Sequence, residues 1–241
     1  MEPLSSFAII ALAGLVHASF QLSVSMLTLL SGHTIGSRAS HMKVVRRTSS
    51  FIWGVIVMTL LLLTFAIYCL QTVFGNVVPP LVWSIGCGLV MGLGIAVWAF
   101  YYRKTAGTTL WLPRSAAQFL SRRTKATKSS TEAFSLGMTS VIVESIFIVA
   151  PLLICAMAVT QLAPFWQAIG IMLYVLLASL PLLLIGALVG SGHKLSRIQQ
   201  WRESNKRFLQ FAGGSGLLIL GLYVYVEHVF AFSIFQAGGL L

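Results

Sequence analysis

Every lysine and arginine of the chain falls in one of three segments, and these segments alternate with long apolar runs. The first holds Arg38, Lys43, Arg46 and Arg47. The second holds Arg103, Lys104, Arg114, Arg122, Arg123, Lys125 and Lys128, and the third Lys194, Arg197, Arg202, Lys206 and Arg207. Membrane proteins retain their basic residues on the cytoplasmic side, so the partition predicts a multi-pass protein with one orientation. Charged residues make up 9% of the chain, against about 25% in soluble domains. The net charge of +11 would suggest nucleic acid for a soluble protein. Here the charges flank apolar spans, so they read as topology signals and contacts with anionic lipid head groups, and no nucleic-acid partner is expected.

A helix needs about 20 apolar residues to cross the hydrocarbon core. Six runs reach that length: 7–30, 51–73, 81–101, 133–162, 165–189 and 208–230. The expected fold is therefore all-α, a six-helix transmembrane bundle in the cytoplasmic (inner) membrane with both termini outside. The first run lacks a basic n-region and exceeds the usual signal-peptide length, so it is expected to remain as a span. Residues 1–104 would form one three-helix unit and 133–241 a second. Residues 105–132 would be a basic cytoplasmic linker with an interfacial helix near Leu110–Arg123 that starts around Pro113. A second short helix is expected after Ser196, leading into span six.

The halves look related. Gly86-Cys87-Gly88-Leu89 in span three matches Gly214-Ser215-Gly216-Leu217 in span six. Val16-His17-Ala18-Ser19-Phe20 in span one matches Val143-Glu144-Ser145-Ile146-Phe147 in span four at nearly the same offset. A duplicated unit of three spans inserts in opposite orientation, so two inverted repeats are expected, with a site near the midplane where they meet.

Titratable groups within hydrocarbon are costly and mark function by default. His17 and Glu144 occupy matching places in spans one and four, and were expected to approach each other at the midplane. Gln21 is one turn from His17, Ser25 continues that face, and Ser145 adjoins Glu144. These five are the candidate binding or coupling residues, with His17 and Glu144 as the candidate metal ligands. Pro151 and Pro181 are expected to kink or break spans four and five and free carbonyls there. The glycines of spans three and six, Gly86, Gly88, Gly92, Gly94, Gly213, Gly214 and Gly216, are expected to let helices pack closely. Cys69, Cys87 and Cys155 form no CxxC pair and read first as small apolar side chains.

The three-plus-three layout, the polar first and fourth spans, the segment Gly32-His33-Thr34-Ile35-Gly36-Ser37-Arg38 and the stretch Leu173–Gly190 with Ser179-Leu180-Pro181 together resemble the superfamily that joins LysE-type exporters with CcdA/DsbD-type thiol electron carriers. That resemblance implies an exporter of a small solute or metal cation. It equally implies a thiol–disulfide carrier using Cys155, although such carriers also place a cysteine in span one and this chain has none there. A third reading is a non-transporting assembly factor. No Ser-His-Asp, HExxH or phosphate-loop pattern supports an intramembrane enzyme, with thiol oxidoreductase activity left open. No cofactor is implied. The expected partners are lipid and a small solute or cation, and a homo-oligomer is left open.

Overall fold

The computed structural model describes residues 3–21, 41–100, 123, 127, 129–191, 200–201 and 204–231. These fold into α1 (Pro3–Gln21), α2 (His41–Phe74), α3 (Pro80–Phe100), α4 (Ser130–Thr160), α5 (Pro164–Gly190) and α6 (Lys206–Val224). A π-helical turn, Tyr225–Phe230, continues α6. Each of the six is long and apolar enough to cross a membrane, once α6 is taken with its π turn. The protein is thus an all-α, multi-pass membrane protein.

Local chemistry sets the helix ends. At the start of α4 a capping box operates: the Glu132 N–H donates to Ser129 Oγ (3.1 Å) and the Ser129 N–H donates to the Glu132 carboxylate (3.1 Å). Gly75 ends α2 at φ +66°, and its N–H donates to the Gln71 carbonyl at 2.9 Å. Glycine takes this left-handed position without a Cβ penalty. Pro80 and Pro164 open α3 and α5, where a missing N–H costs nothing. Helix α2 begins ten residues before the apolar run does, because Lys43, Arg46 and Arg47 ride on its polar first turns. Most of the expected interfacial helix and Ser196 lie outside the described residues.

Successive helices alternate in direction. Phe7 packs on Trp166 and His17 on Tyr174, so α1 and α5 run parallel. Trp98 packs on Phe211 and Trp83 on His228, so α3 and α6 run antiparallel. The two short connections, 75–79 and 161–163, therefore share one end of the bundle with the start of α1 and the π turn. The helix ends that border the basic segments lie at the other end. A belt of exposed apolar side chains, including Leu61, Phe65, Leu89, Ile142, Ile146, Met172 and Leu176, surrounds the bundle. In water this area would be prohibitive, whereas in lipid it is the ordinary outer face.

The halves are interleaved. Helix α1 packs against α4, α5 and α6; α2 packs against α4 and α5; α3 packs against α6 and α4. Helix α4 also touches α5, and exchanging α1 with α4, α2 with α5 and α3 with α6 maps these contacts onto one another except for that one, which has no comparable counterpart between α1 and α2. The most extensive seam joins α2 to α4. A Cβ on Gly54 would strike the Phe134 carbonyl oxygen, and a Cβ on Gly137 would strike the Phe51 carbonyl oxygen. The backbones meet at this crossing, which only glycine permits. The glycines of α3 divide. Gly94 lies against the Gly214 carbonyl, 3.1 Å from where its Cβ would be, and Gly86 faces Met157. Gly88 and Gly92 have nothing within 4 Å and point outward, so the expectation of close packing fails for these two.

Candidate functional site

Among the described residues nine polar side chains are buried to below a tenth of their surface, His17, Gln21, Thr59, Glu144 and Ser179 among them. They come from α1, α2, α4 and α5, so the polar interior belongs to the four central helices. His17 and Gln21 meet, as one helical turn of separation requires: the Gln21 amide nitrogen is 3.5 Å from His17 Nε2. On the other side of the ring, His17 Nδ1 lies 2.8 Å from the Tyr174 hydroxyl of α5. The Gln21 amide turns its nitrogen, a donor only, toward Nε2, and the Tyr174 hydroxyl meets Nδ1; the roles at each ring nitrogen follow from the tautomer. This orientation turns Gln21 Oε1 away from the ring, and that oxygen has no hydrogen-bond partner.

Tyr174 is fully buried and is the site residue that sequence reasoning missed. A tyrosine within an apolar run reads as packing, and nothing in the linear sequence links it to a histidine 157 positions earlier.

Glu144 is fully buried on α4. Its relation to His17 follows from Phe20 and Phe147, each three residues further along its own helix. These two rings stack at 5.7 Å and 10°. Because α1 and α4 are antiparallel, His17 lies on the side of the ring pair toward the two short connections and Glu144 on the opposite side, about 9 Å apart along the helix axes at 1.5 Å per residue. The Phe pair thus stands between the levels of two groups expected to meet at one level. Gln21, one residue beyond Phe20, descends to within about 3 Å of the Glu144 level. A buried polar file therefore runs from Tyr174 through His17 to Gln21 and the level of Glu144. Ser145 is half-buried beside Glu144, and Ser25 lies outside the described residues.

Pro151 and Pro181 do not break their helices, which run unbroken from 130 to 160 and from 164 to 190. Each still removes one backbone donor, the one that would serve the carbonyl of Phe147 or Leu177. Neighbouring helices hold both segments in place. Pro151 is buried within the bundle, and Leu177 packs on Gly14, whose Cβ would lie 3.0 Å from the Leu177 Cβ.

The three cysteines are free. Cys69 is exposed, whereas Cys87 and Cys155 are buried. Among the described residues no group of three or more His, Cys, Asp or Glu could hold a metal ion. Comparison of the chain with known protein families, curated proteins and solved structures returns no match.

Proposed function

We propose that the chain is a secondary transporter, an exporter of a small polar solute across the cytoplasmic membrane, with the Tyr174–His17–Gln21 file and Glu144 as its binding and coupling groups. The observation that carries this reading is the complete burial of an imidazole, an amide, a phenol and a carboxyl group among three helices in the interior of a membrane bundle. Such groups are expensive in hydrocarbon and characteristically line solute or ion paths. A solute fits this set better than a transition metal, because no third strong ligand accompanies His17 and Glu144. The near-symmetry of the helix contacts under exchange of the halves supports an inverted repeat, in which the Phe20–Phe147 pair would lie beside the two-fold axis. The test is a current screen of reconstituted protein on a supported membrane, with amino acids and amines as solutes. A solute-dependent current is expected. Silence across the panel from correctly folded protein would leave the assembly-factor reading.

The basic ends would face the cytoplasm and both termini the outside. In a cysteine-free background, Asn76→Cys should react with an impermeant maleimide added outside, and Ala126→Cys should not. The opposite pattern would invert the topology.

The thiol-carrier reading would rest on Cys155, which is free and buried in α4. It needs a second thiol able to pair with the first, and the three cysteines are unpaired. Replacing Cys69, Cys87 and Cys155 together by Ser or Ala should preserve the fold and the current. Loss of function on Cys155→Ser alone, with a mixed disulfide to a thioredoxin-like protein, would promote the thiol reading.

A further inference from the structure

Thr59 and Ser179 are fully buried hydroxyls whose oxygens have no hydrogen-bond partner. Buried hydroxyls in membrane helices ordinarily turn back onto a carbonyl of their own helix. In this protein Thr64 donates to the Leu60 carbonyl, Ser140 to that of Gly137 and Thr160 to that of Ala156. Thr59 and Ser179 do not, and each forgoes stabilisation by remaining open.

Helix register puts them at one level of the α2–α5 seam. The antiparallel seam of α2 and α5 is fixed at its inner end by Ile52 against Gly186 and at its outer end by Gln71, whose amide nitrogen is 3.4 Å from Gln167 Oε1. Thr59 is seven residues from Ile52, and Ser179 is seven residues from Gly186 in the opposite sense. Seven residues are two helical turns, so both return to the same seam face at a common level. They are also equally distant, by twelve residues, from Gln71 and Gln167. That level is the one reached by Gln21: Ser179 is five residues beyond Tyr174, Gln21 is four beyond His17, and α1 and α5 are parallel. Glu144 of α4 lies within about 3 Å of the Gln21 level.

Four fully buried side chains from four helices thus converge on one level, and all can present oxygen: Gln21 Oε1, Thr59 Oγ1, Ser179 Oγ and the Glu144 carboxyl group. We infer that this level is a binding site for a monovalent cation, either sodium or the ammonium group of an amine solute. An oxygen set of three neutral groups and one carboxyl matches a hard single charge. The inference rests on the transporter reading only for its purpose, since binding is measurable without flux. Occupation of Gln21 Oε1 holds the amide with its nitrogen toward His17, so the cation also fixes the ring tautomer and its bond to Tyr174.

The test is the melting temperature of the purified protein titrated with sodium chloride or methylammonium chloride, with choline chloride maintaining ionic strength. Binding to the folded state alone raises the melting temperature saturably. One of the two probes is expected to do so, and which one identifies the source of the charge. Thr59→Val and Ser179→Ala should each weaken the apparent affinity tenfold or more while leaving the cation-free melting temperature unchanged or raised. Thr59→Ser, which keeps the hydroxyl, should retain the affinity. No saturable effect of either probe on the wild type, or unchanged affinity in both hydroxyl-free variants, would overturn the site. Saturable binding with no current in the solute screen would retain the site and remove the transporter reading instead.

Discussion

Glu144→Gln should yield a protein that inserts, purifies as a monodisperse species and carries no coupled flux. The substitution preserves volume and hydrogen-bonding capacity and removes only the charge and the exchangeable proton. For a group that moves a proton or balances a cation during turnover, a loss on the order of 10²-fold or more is expected. His17→Ala removes the ring that joins Tyr174 to Gln21 and leaves two buried polar groups short of a partner, at about 1–3 kcal/mol each. Beyond that loss of stability, it should move the pH dependence of transport, because the file then lacks the imidazole, a group able to take up and release a proton during turnover. Flux and its pH profile in liposomes, with thermal melting alongside, separate the two roles. If both variants transport normally and merely melt earlier, the buried polar groups hold the bundle together and do nothing else.

The second large effect belongs to the α2–α4 crossing. Gly54→Val or Gly137→Val would drive a side chain into the backbone carbonyl of the facing helix. A carbonyl within a helix cannot swing aside as a side chain can, so the helices must separate along their most extensive seam. Overpacking of a well-filled core costs about 1–3 kcal/mol, and a backbone obstacle should place these variants at or above the upper end. Against a total stability of about 5–15 kcal/mol, the double variant should not be recovered as folded protein. Gly88→Val and Gly92→Val provide the internal control. Both glycines face open space, and their variants should melt within a few degrees of wild type. Size-exclusion profiles and melting temperatures of the four single variants decide the matter.

The membrane class and four of the six spans were legible to within a few residues, because hydropathy and basic clusters report the same physical boundary; the expected end of the first span lies outside the described residues. The early start of α2 was not. Its first turns carry Lys43, Arg46 and Arg47, and a hydropathy reading stops where apolar residues stop, although a helix can project beyond the hydrocarbon. Within the site, helical spacing correctly joined His17 to Gln21. It could not place Tyr174, Thr59 or Ser179, because those pairings depend on the register between helices distant in sequence. The prolines misled for a related reason: the sequence shows the missing donor, and only packing shows that the helix continues through it. The crossing glycines did have a signal. Phe51-Ile52-Trp53-Gly54 and Phe134-Ser135-Leu136-Gly137 share the pattern Phe-x-x-Gly near the same end of their helices. Glycine counts alone favoured α3 and α6 instead.

The interleaving of the halves bears on how the protein is made. Helix α1 finds its principal neighbours only in α4, α5 and α6, the last parts of the chain to leave the ribosome. Until they arrive, His17 and Gln21 would confront lipid tails without Tyr174 or α4 to shelter them. The first three helices therefore cannot settle into their final arrangement as they are synthesised. A nascent chain released after α3 would be a substrate for quality control rather than a stable half-protein.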